Sequence, residues 1–543
     1  MTNDGTIYLE TMGCQMNALD SELALGALLA RGYRVTADMQ GASLVVLNTC
    51  SVRQHAEDKV YSRLGQLKRS RVRHPEQVVA VIGCMAERDG DGLLAKMPHV
   101  DILCGPSDLG KLPGLIDDVQ RTRRPAVALS GRLRDHSTPV RDGSGGDDLE
   151  TLDSGRMFGL NAHAEVPKVF GRHQAYVRIT RGCNKYCTFC VVPYTRGPEQ
   201  HRPPGQIVDE VRRLANAGVM EVTLLGQTVN HYEFEGEGPD GRTTFAQLLK
   251  RVHDEVPELP RLRFVTSFPR DFTDEALEVM AASPRICKYL HVPAQSGSNE
   301  VLKRMNRGYT VEQYMSLLDR ARKLMPDLAI AGDMIVGFCG ETEADFQKSL
   351  DLLRYARYKN CFIFKYSPRP GTAADGRFPD DVPEDEKRRR NNDMLAVQAQ
   401  INVANHQSMM GSVVEVLVEG PSKAQMKRQE SEQERGCEVE NAESPNRQNA
   451  ETRRGPFSPG PKDQGERAAM IQLVGRTSGD QIVVFDGNRD MIGGFASVRV
   501  IAATPYTLHG ECVTAAGFAL PRTAQRDTPA SNVVSLPVLC GTV

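Results

Sequence analysis

The 543-residue sequence lacks an excess of either charge, with 67 Lys and Arg against 69 Asp and Glu and a formal net charge of −2. A globally basic surface for nucleic acid is therefore excluded, and any RNA site must be a local patch. No apolar run approaches the ~20 residues that span a bilayer. The start also lacks a basic segment followed by an apolar one. We therefore expect a cytoplasmic protein without a secretory signal or membrane span.

The thirteen cysteines are an odd number, and several lie in clusters. In a long chain without an export signal, clustered cysteines indicate metal binding or catalysis rather than a disulfide framework. The chain is also too long for a single hydrophobic core, so several domains are expected.

Two stretches of the sequence alternate short β-branched runs with helical patterns. Residues 5–122 predict a small parallel sheet covered by helices, and a Gly-, Ser- and Asp-rich linker follows over residues 123–168. Residues 169–400 contain six strand–helix alternations, which favour a partial α/β barrel open on one side. The protein is thus predicted to be of the α/β class.

Residues 401–513 contain short strands and glycine turns, which predict a small β-barrel. A polar stretch over 422–468 interrupts it, with dense mixed charge and proline. Because this stretch cannot bury enough apolar surface to offset its chain entropy, we expect a disordered insertion. Residues 514–543 are expected to form a flexible tail.

Three cysteines, Cys183, Cys187 and Cys190, directly follow the first predicted barrel strand with C-x3-C-x2-C spacing. In α/β sheets and barrels, ligands bind beyond the carboxyl ends of the strands. Three thiolates around a four-iron cluster leave one iron with an open coordination position, which chemistry requires and structural sites avoid. The alternative is a structural zinc loop.

A second set of three cysteines, Cys14, Cys50 and Cys84, is dispersed, and each follows a predicted strand of the first domain. Because parallel strands end at one edge, the three sulfurs should converge on a shared metal. For each cysteine alone, the alternative is core packing. Cys104 also ends a strand and is a possible fourth ligand, although we expect it not to be one. Three further cysteines are expected to be core thiols or bystanders: Cys287, Cys339 and Cys361.

The central spacing, with Phe189 before the last cysteine, resembles the signature of the radical S-adenosylmethionine (SAM) superfamily. The six-unit partial barrel is also that superfamily's fold. The resemblance implies that SAM chelates the open iron and that reduction cleaves it to methionine and a 5′-deoxyadenosyl radical.

Motifs along nearly the whole chain resemble the methylthiotransferases. They are "ETMGCQMNALDSE", "LNTCSVRQHAEDKV", "VIGCMAER", "GCNKYCTFCVVPYTRG", "LLGQTVNHY", "HVPAQSGSNEVLKRMNRGYT" and "DMIVGFCGETEADF". The closing β segment resembles a TRAM domain, an RNA-binding barrel. The resemblance implies two [4Fe-4S] clusters, SAM as methyl donor and radical source, a tRNA substrate, a flavodoxin- or ferredoxin-type electron donor, a separate sulfur source and a monomeric enzyme.

Within the family, "GCQMN" and "CVVPYTRG" look most like the branch that adds a methylthio group to carbon 2 of N6-(dimethylallyl)adenosine at tRNA position 37, beside the anticodon. That carbon is unactivated, so a radical is needed. The central cluster would generate the radical, and the Cys14/Cys50/Cys84 cluster would hold the sulfur. Cys339 departs from the family pattern, which usually has proline there.

Two other functions remain open. A sister branch methylthiolates threonylcarbamoyladenosine in tRNA or an aspartate of a ribosomal protein. A non-catalytic iron–sulfur or zinc protein that binds RNA is the alternative from another class.

The resemblance also suggests contacts to SAM and RNA, for which ordinary packing or a solvated surface is the alternative. The candidate SAM-binding residues are Phe189, Gly226, Gln227, Asp333, Val336 and Gly337. The candidate phosphate contacts are "EKRRRNN", Arg476 and Arg499.

Overall fold

The computed structural model describes residues 5–51, 54–130, 173–238, 240–429, 431 and 470–513. Contacts divide the chain between Ile401 and Asn402 into two units, which are described separately. Among the residues described, no helix is both long and apolar enough to cross a membrane.

The first unit begins with a six-stranded parallel sheet of order β2-β1-β3-β4-β5-β6. The strands are β1 Thr6–Met12, β2 Arg34–Val35, β3 Leu44–Thr49, β4 Val78–Gly83, β5 Ile102–Cys104 and β6 Ala126–Ala128. The helices are α1 Gln15–Leu29, α2 Gln54–Ser70, α3 Cys84–Lys96 and α4 Leu112–Thr122. Strands β3 and β4 are buried along their whole length, as their continuous apolar runs require between two helical layers.

Helices α1 and α4 cover one face of this sheet, and α2 and α3 cover the other. Val46 points into the core under α1 and α4, whereas Val45 and Leu47 point into the core under α2 and α3. Strand β6 lies within the predicted linker, so the sequence-based boundary at residue 122 was too early. The remainder of that linker from residue 131 lies outside the described residues.

The same unit continues into a region of ten strands and nine helices among the described residues; six of the strands belong to a parallel barrel, and four form two short antiparallel pairs. The strands of this part are β7 Gln174–Arg178, β8 Thr180–Arg181, β9 Gln200–His201, β10 Glu221–Leu225, β11 Glu233–Glu235, β12 Arg242–Thr244, β13 Arg261–Phe264, β14 Tyr289–His291, β15 Ala329–Val336 and β16 Asn360–Lys365. The helices are α5 Val192–Arg196, α6 Pro204–Asn216, α7 Phe245–Glu255, α8 Asp274–Ala282, α9 Asn299–Arg304, α10 Val311–Leu324, α11 Glu343–Ala356, α12 Ala373–Arg377 and α13 Glu384–Gln407.

The six barrel strands form two three-stranded groups, β7-β10-β13 and β14-β15-β16. A parallel bridge between Leu262 and Ile286 joins the groups, so the strands follow one another in chain order. The outer strands β7 and β16 are not paired with each other in the part of the chain described. The predicted six-strand partial barrel, open on one side, is therefore confirmed.

Helix α1 also packs on the barrel. Met16, Leu19 and Leu23 share a buried cluster with Leu225 and Tyr289. The first domain and the barrel are thereby held together through a helix that begins beside Cys14.

The second unit contains a closed five-stranded barrel of order β17-β18-β19-β21-β20, as predicted. Its strands are β17 Val413–Pro421, β18 Ile471–Arg476, β19 Ile482–Gly487, β20 Phe495–Ala503 and β21 Leu508–Cys512. Burial alternates along β18, so every second side chain enters the barrel core.

The first residues of the insertion, which was predicted to be disordered, are ordered in the structure. Ser422 is buried, its N–H donates to the Gln472 carbonyl, and its Oγ accepts from the Gln425 N–H at 3.1 Å. Residues 423–429 are helical, because a capping serine satisfies an amide that would otherwise lack a partner. The rest of the insertion, over 432–468, and the tail over 514–543 lie outside the described residues.

Candidate active site

The structure brings the three dispersed cysteines to one edge of the first sheet. Cys14 is the N-cap of α1 after β1, Cys50 follows β3, and Cys84 opens α3 after β4. These strands are adjacent and parallel, with Met12 opposite Thr49 and Thr49 in turn opposite Gly83. Their carboxyl ends therefore lie side by side.

In this N-terminal trio, Cys14 interacts with both Cys50 and Cys84, and none of the three thiols is in a disulfide. A hydrogen bond from Cys50 lowers the pKa of Cys14 to about 6 against the opposing effect of burial. Burial raises the pKa of Cys84. The thiolate is the form that binds metal, so the hydrogen bond from Cys50 favours the metal-binding form of Cys14.

The surroundings of the trio fit a bound metal group. Asp20 Oδ1 and Ser51 Oγ are buried and have no hydrogen-bond partner among the described residues. Buried polar atoms of that kind usually indicate a missing partner. Three thiols suit an iron–sulfur cluster that keeps one position open.

Cys104 lies apart from this trio in its packing. Its thiol donates to the Asp108 carbonyl at 3.2 Å and is buried in the core under α1 and α4. Cys50 packs in the core on the other face. The remaining barrel cysteines, as expected, are buried in hydrophobic clusters: Cys287, Cys339 and Cys361.

The central trio, Cys183, Cys187 and Cys190, lies on one loop beyond the first barrel strand. Gly182 begins this loop at φ 75°, and a Cβ there would lie 2.0 Å from the Pro198 carbonyl oxygen, so only glycine fits. The Cys190 N–H donates to the Cys187 carbonyl at 3.0 Å, which closes the turn. Burial raises the pKa of Cys183 to about 11 and also raises that of Cys190.

Arg307 is a candidate site residue that sequence reasoning missed. Its Nη1 lies 3.2 Å from Cys187 Sγ, and its guanidinium is 4.4 Å from the centre of the Phe268 ring. Its Nε donates to the Tyr309 hydroxyl at 3.1 Å. A buried cation so placed offsets negative charge on the Cys187 sulfur. The only signal in the sequence was its position within the motif "NRGYT".

The candidate SAM residues at the loop and at the end of β10 have different surroundings. Phe189 makes an edge-to-face contact with Phe338, with ring centres 6.4 Å apart. A Cβ on Gly226 would lie 2.1 Å from Thr180 Oγ1, so packing alone explains that glycine. Gln227 Oε1 is buried and has no partner among the residues described, which suits a ligand contact.

The SAM-binding candidates at the end of β15 make contacts within the protein that account for them without a ligand. Asp333 Oδ1 lies 3.2 Å from His291 Nε2, and Val336 is fully buried. Gly337 has φ 72°, and a Cβ there would lie 2.3 Å from the Lys387 side chain. Close helix packing thus explains Gly337 without a cofactor.

A polar cluster beside the central loop was not foreseen. Glu199 accepts from Thr228 at 3.0 Å and lies 2.8 Å from His231 Nδ1, and His201 is close by. The hydrogen bond with Glu199 raises the pKa of His231, whereas burial lowers that of His201. The Glu199 N–H donates to Asn184 of the loop at 3.1 Å, so the cluster adjoins the central trio.

Two arginines from the barrel reach the N-terminal trio. Arg196 donates to Asp20 at 2.7 Å, and its charge acts on Cys14 and Cys84. Arg369 donates to Glu57 at 2.8 Å. Because α5, which ends at Arg196, begins directly after the central loop, one short segment connects the two trios.

The predicted phosphate contacts are largely used within the protein. In "EKRRRNN", Lys387 pairs with Asp380, and Arg390 pairs with Glu341 at 2.8 Å; both basic side chains are buried. Arg476 pairs with Asp480 at 2.9 Å and with Glu419. Of the two candidates in the second unit, Arg499 is the exposed one.

Three family models match the chain. A model described as "Radical SAM superfamily" matches residues 177–353, "Uncharacterized protein family UPF0004" matches residues 6–105, and "TRAM domain" matches residues 470–513. The three-domain order expected from the sequence is confirmed by these matches.

Similar proteins cover nearly the whole chain. The tRNA-2-methylthio-N(6)-dimethylallyladenosine synthase of Rhodopirellula baltica is 43% identical over 94% of this chain and 96% of its own. That of Syntrophotalea carbinolica is 37% identical over 94% of this chain and 100% of its own. Among solved structures, the radical SAM methyltransferase TsrM of Kitasatospora setae is 16% identical, with a TM-score of 0.47 over 68% of this chain and 74% of that one. The relatives' coverage and identity confirm the expected resemblance, and the protein belongs to the tRNA-2-methylthio-N(6)-dimethylallyladenosine synthase family of radical SAM methylthiotransferases.

Proposed function

We propose that the protein adds a methylthio group to carbon 2 of N6-(dimethylallyl)adenosine at position 37 of tRNA, in the cytoplasm, using SAM and two [4Fe-4S] clusters. Membership of the synthase family supports the reaction and its substrate. The observation that carries the two-cluster arrangement is the pair of cysteine trios in one unit, bridged by α5.

Each trio supplies three thiols and would leave one iron of a four-iron cluster without a protein ligand. A cluster and SAM bound at the central trio supply the one-electron chemistry that an unactivated C–H bond needs. The second cluster, held by Cys14, Cys50 and Cys84, is proposed to carry the sulfur.

Three side chains around the central trio are proposed to bind and orient the cofactor. Arg307 balances charge at Cys187, and its own position is fixed by Phe268 and Tyr309. Gln227 offers an unpartnered buried oxygen that can accept from the ammonium group of SAM. Phe189 adds an apolar surface beside the loop. These side chains orient the cofactor and exclude water from it.

The closing barrel is proposed to bind the tRNA, as its match to the TRAM domain supports. The target base must leave its stack to reach the central site, and anticodon loops allow this because their bases are single-stranded. A flavodoxin- or ferredoxin-type protein is proposed as the electron donor, with a separate small-molecule sulfur source.

The test uses the anaerobically reconstituted full chain with SAM, a reductant, sulfide and tRNA that carries the dimethylallyl group but no methylthio group. Mass spectrometry of the nucleosides should show a gain of the methylthio group on that adenosine alone. The Cys104→Ala variant is the control and should retain the product. Cleavage of SAM without any modified nucleoside, or modification only of threonylcarbamoyladenosine, would contradict the assignment.

A further inference from the structure

Tyr186 lies in the middle of the loop that carries the central trio, directly before Cys187. Among the described residues of the first unit it is the most exposed aromatic side chain, with 41% of its surface exposed. Its neighbours in the loop differ, since the Lys185 side chain and Cys187 are buried. Exposure alone is ordinary for a single apolar residue, so the backbone of Tyr186 decides whether the ring has a role.

That backbone is strained. The φ of Tyr186 is 47°, in the left-handed region that bulky residues rarely adopt. The loop is fixed to the chain just beyond α9, because Asn306 Nδ2 donates to the Tyr186 carbonyl at 3.0 Å and the Thr188 N–H donates to the Met305 carbonyl at 3.0 Å. Glycine or asparagine would adopt this conformation at lower cost. A bulky residue held in such a conformation points to a function for its side chain.

The ring of Tyr186 is oriented by a second tyrosine. The ring centres of Tyr186 and Tyr194 are 6.4 Å apart, and the planes meet edge to face at 71°. Tyr194 lies in α5, four residues after Cys190, and its N–H donates to the Val191 carbonyl at 3.0 Å. The charge of the exposed side chain of Arg377 also acts on Tyr194. The aromatic pair therefore adjoins both the central trio and an exposed basic side chain.

We propose that Tyr186 stacks on a nucleobase of the anticodon loop beside the target adenosine, and so helps to present that adenosine to the central trio. This inference rests on the proposed function. A base that leaves its stack to reach the trio leaves a neighbouring base with an uncovered face. Aromatic side chains stack on such faces when proteins bind single-stranded RNA. The positive charge of Arg377 suits the phosphate that accompanies the base.

The test measures binding of the reconstituted full chain to a synthetic anticodon stem-loop that carries the dimethylallyl group, by fluorescence anisotropy. Tyr186→Asn removes the ring but tolerates the left-handed backbone, so its iron content should equal that of the wild type. Its dissociation constant for the RNA should rise roughly tenfold, the effect of losing one stacked base, and KM for the RNA should rise with it. Tyr186→Phe keeps the ring and should bind like the wild type.

The matched control is Tyr355→Asn, which removes a tyrosine of α11 that donates to Asp319 at the surface at 2.6 Å. It should leave the affinity for the RNA unchanged. Affinity of Tyr186→Asn equal to that of the wild type would overturn the proposal. Loss of iron in Tyr186→Asn would also overturn it, because the side chain would then serve to shape the loop.

A second arm removes the base instead of the ring. Two stem-loops each lack one base, on either side of the target adenosine. One of them should bind the wild type about as weakly as the intact RNA binds Tyr186→Asn, and should lose little more with that variant, because ring and base form one contact. Full affinity of the wild type for both RNAs would contradict the stacking. An effect of Tyr186→Asn that vanishes on RNA without the dimethylallyl group would assign the ring to that group instead.

Nucleoside analysis of the wild-type reaction distinguishes failure of this inference from failure of the proposed function. A methylthio product together with unchanged RNA affinity in Tyr186→Asn removes only the stacking contact. Absence of that product from the wild-type reaction contradicts the proposed function itself.

Discussion

The two cysteine trios of the first unit contrast in how they are assembled. Cys183, Cys187 and Cys190 share one short loop, which Gly182 and local hydrogen bonds shape. Cys14 and Cys84 are brought together only because β1, β3 and β4 are adjacent in a parallel sheet. The central trio is therefore local in sequence, whereas the N-terminal trio depends on the whole domain.

The trios also differ electrostatically. A hydrogen bond from Cys50 lowers the pKa of Cys14 to about 6, whereas burial raises the pKa of Cys183 to about 11. Arg196 adds positive charge at the first site, and Arg307 contacts Cys187 at the second. Burial therefore disfavours the thiolates of Cys183 and Cys190, whereas the hydrogen bond from Cys50 favours the thiolate of Cys14.

The largest expected effect comes from removing one trio at a time. Replacing Cys14, Cys50 and Cys84 together by Ala should roughly halve the iron content, because a lost thiolate opens or removes its cluster. SAM cleavage should persist while sulfur insertion into tRNA stops. Replacing Cys183, Cys187 and Cys190 should abolish both activities. Iron analysis, 5′-deoxyadenosine and modified nucleoside are measured on each variant.

Full iron content together with continued thiolation of tRNA in the N-terminal triple variant would contradict the two-cluster arrangement. The second cluster would then not exist, and the central loop would act alone. Cys361→Ala, in the barrel core, serves as a control and should change neither the iron content nor the products.

The next largest effect is expected on tRNA affinity, which should depend on the closing barrel and not on either trio. Deleting residues 408–513 removes the closing barrel but neither trio, so tRNA affinity should fall by about tenfold or more while iron is retained. For the intact protein, affinity should also fall as salt is added, since phosphate contacts release counterions. Filter binding or fluorescence anisotropy measures both. Unchanged tRNA affinity in the deletion variant would place the binding surface on the first unit.

A smaller effect tests whether the buried ion pairs between the first domain and the barrel stabilise the first unit. Glu57 accepts from Arg88 at 2.7 Å and from Arg369 at 2.8 Å, and all three side chains are buried. Glu57→Gln leaves two buried cations poorly paired and should cost about 3 kcal/mol in the free energy of unfolding of the first unit. Urea unfolding of the apoprotein followed by circular dichroism measures this loss.

The control for that variant is Asp209→Asn, which breaks an exposed pair with Arg212. It should cost less than about 1 kcal/mol, because water already screens surface ion pairs. Equal urea midpoints for the two variants would show that the buried charges around Glu57 do not stabilise the fold of the first unit.

The smallest effect concerns the polar cluster beside the central loop. The hydrogen bond with Glu199 raises the pKa of His231 above its unfolded value near 6.5. The pair therefore stabilises the fold fully below about pH 6.5, and this contribution is lost as pH rises through the raised folded pKa. Glu199→Gln should lower the pKa of His231, measured by NMR titration of the imidazole. An unchanged titration curve would show that Glu199 does not control this histidine.

Sequence reasoning identified the family, the three-domain order and the partial barrel, because hydrophobic periodicity and local motifs report directly on strands, helices and short loops. The assignment of ligands to the six cysteines stays a prediction, although the structure gathers each trio as expected. The linker predicted from residue 123 contains β6, because these residues pair with β5. The insertion predicted from Ser422 begins directly after β17, although residues 423–429 are helical rather than disordered.

The spacing of Cys183, Cys187 and Cys190 was determined by the sequence alone, since three ligands within one loop need little help from the rest of the chain. Only the tertiary structure decided that Arg307 meets Cys187 and that Arg196 meets Asp20. These partners lie more than a hundred positions apart, and no local pattern encodes them. They meet because α1 packs on the barrel and the loops at the carboxyl ends of its strands converge, which makes burial and charge pairing a property of the whole fold.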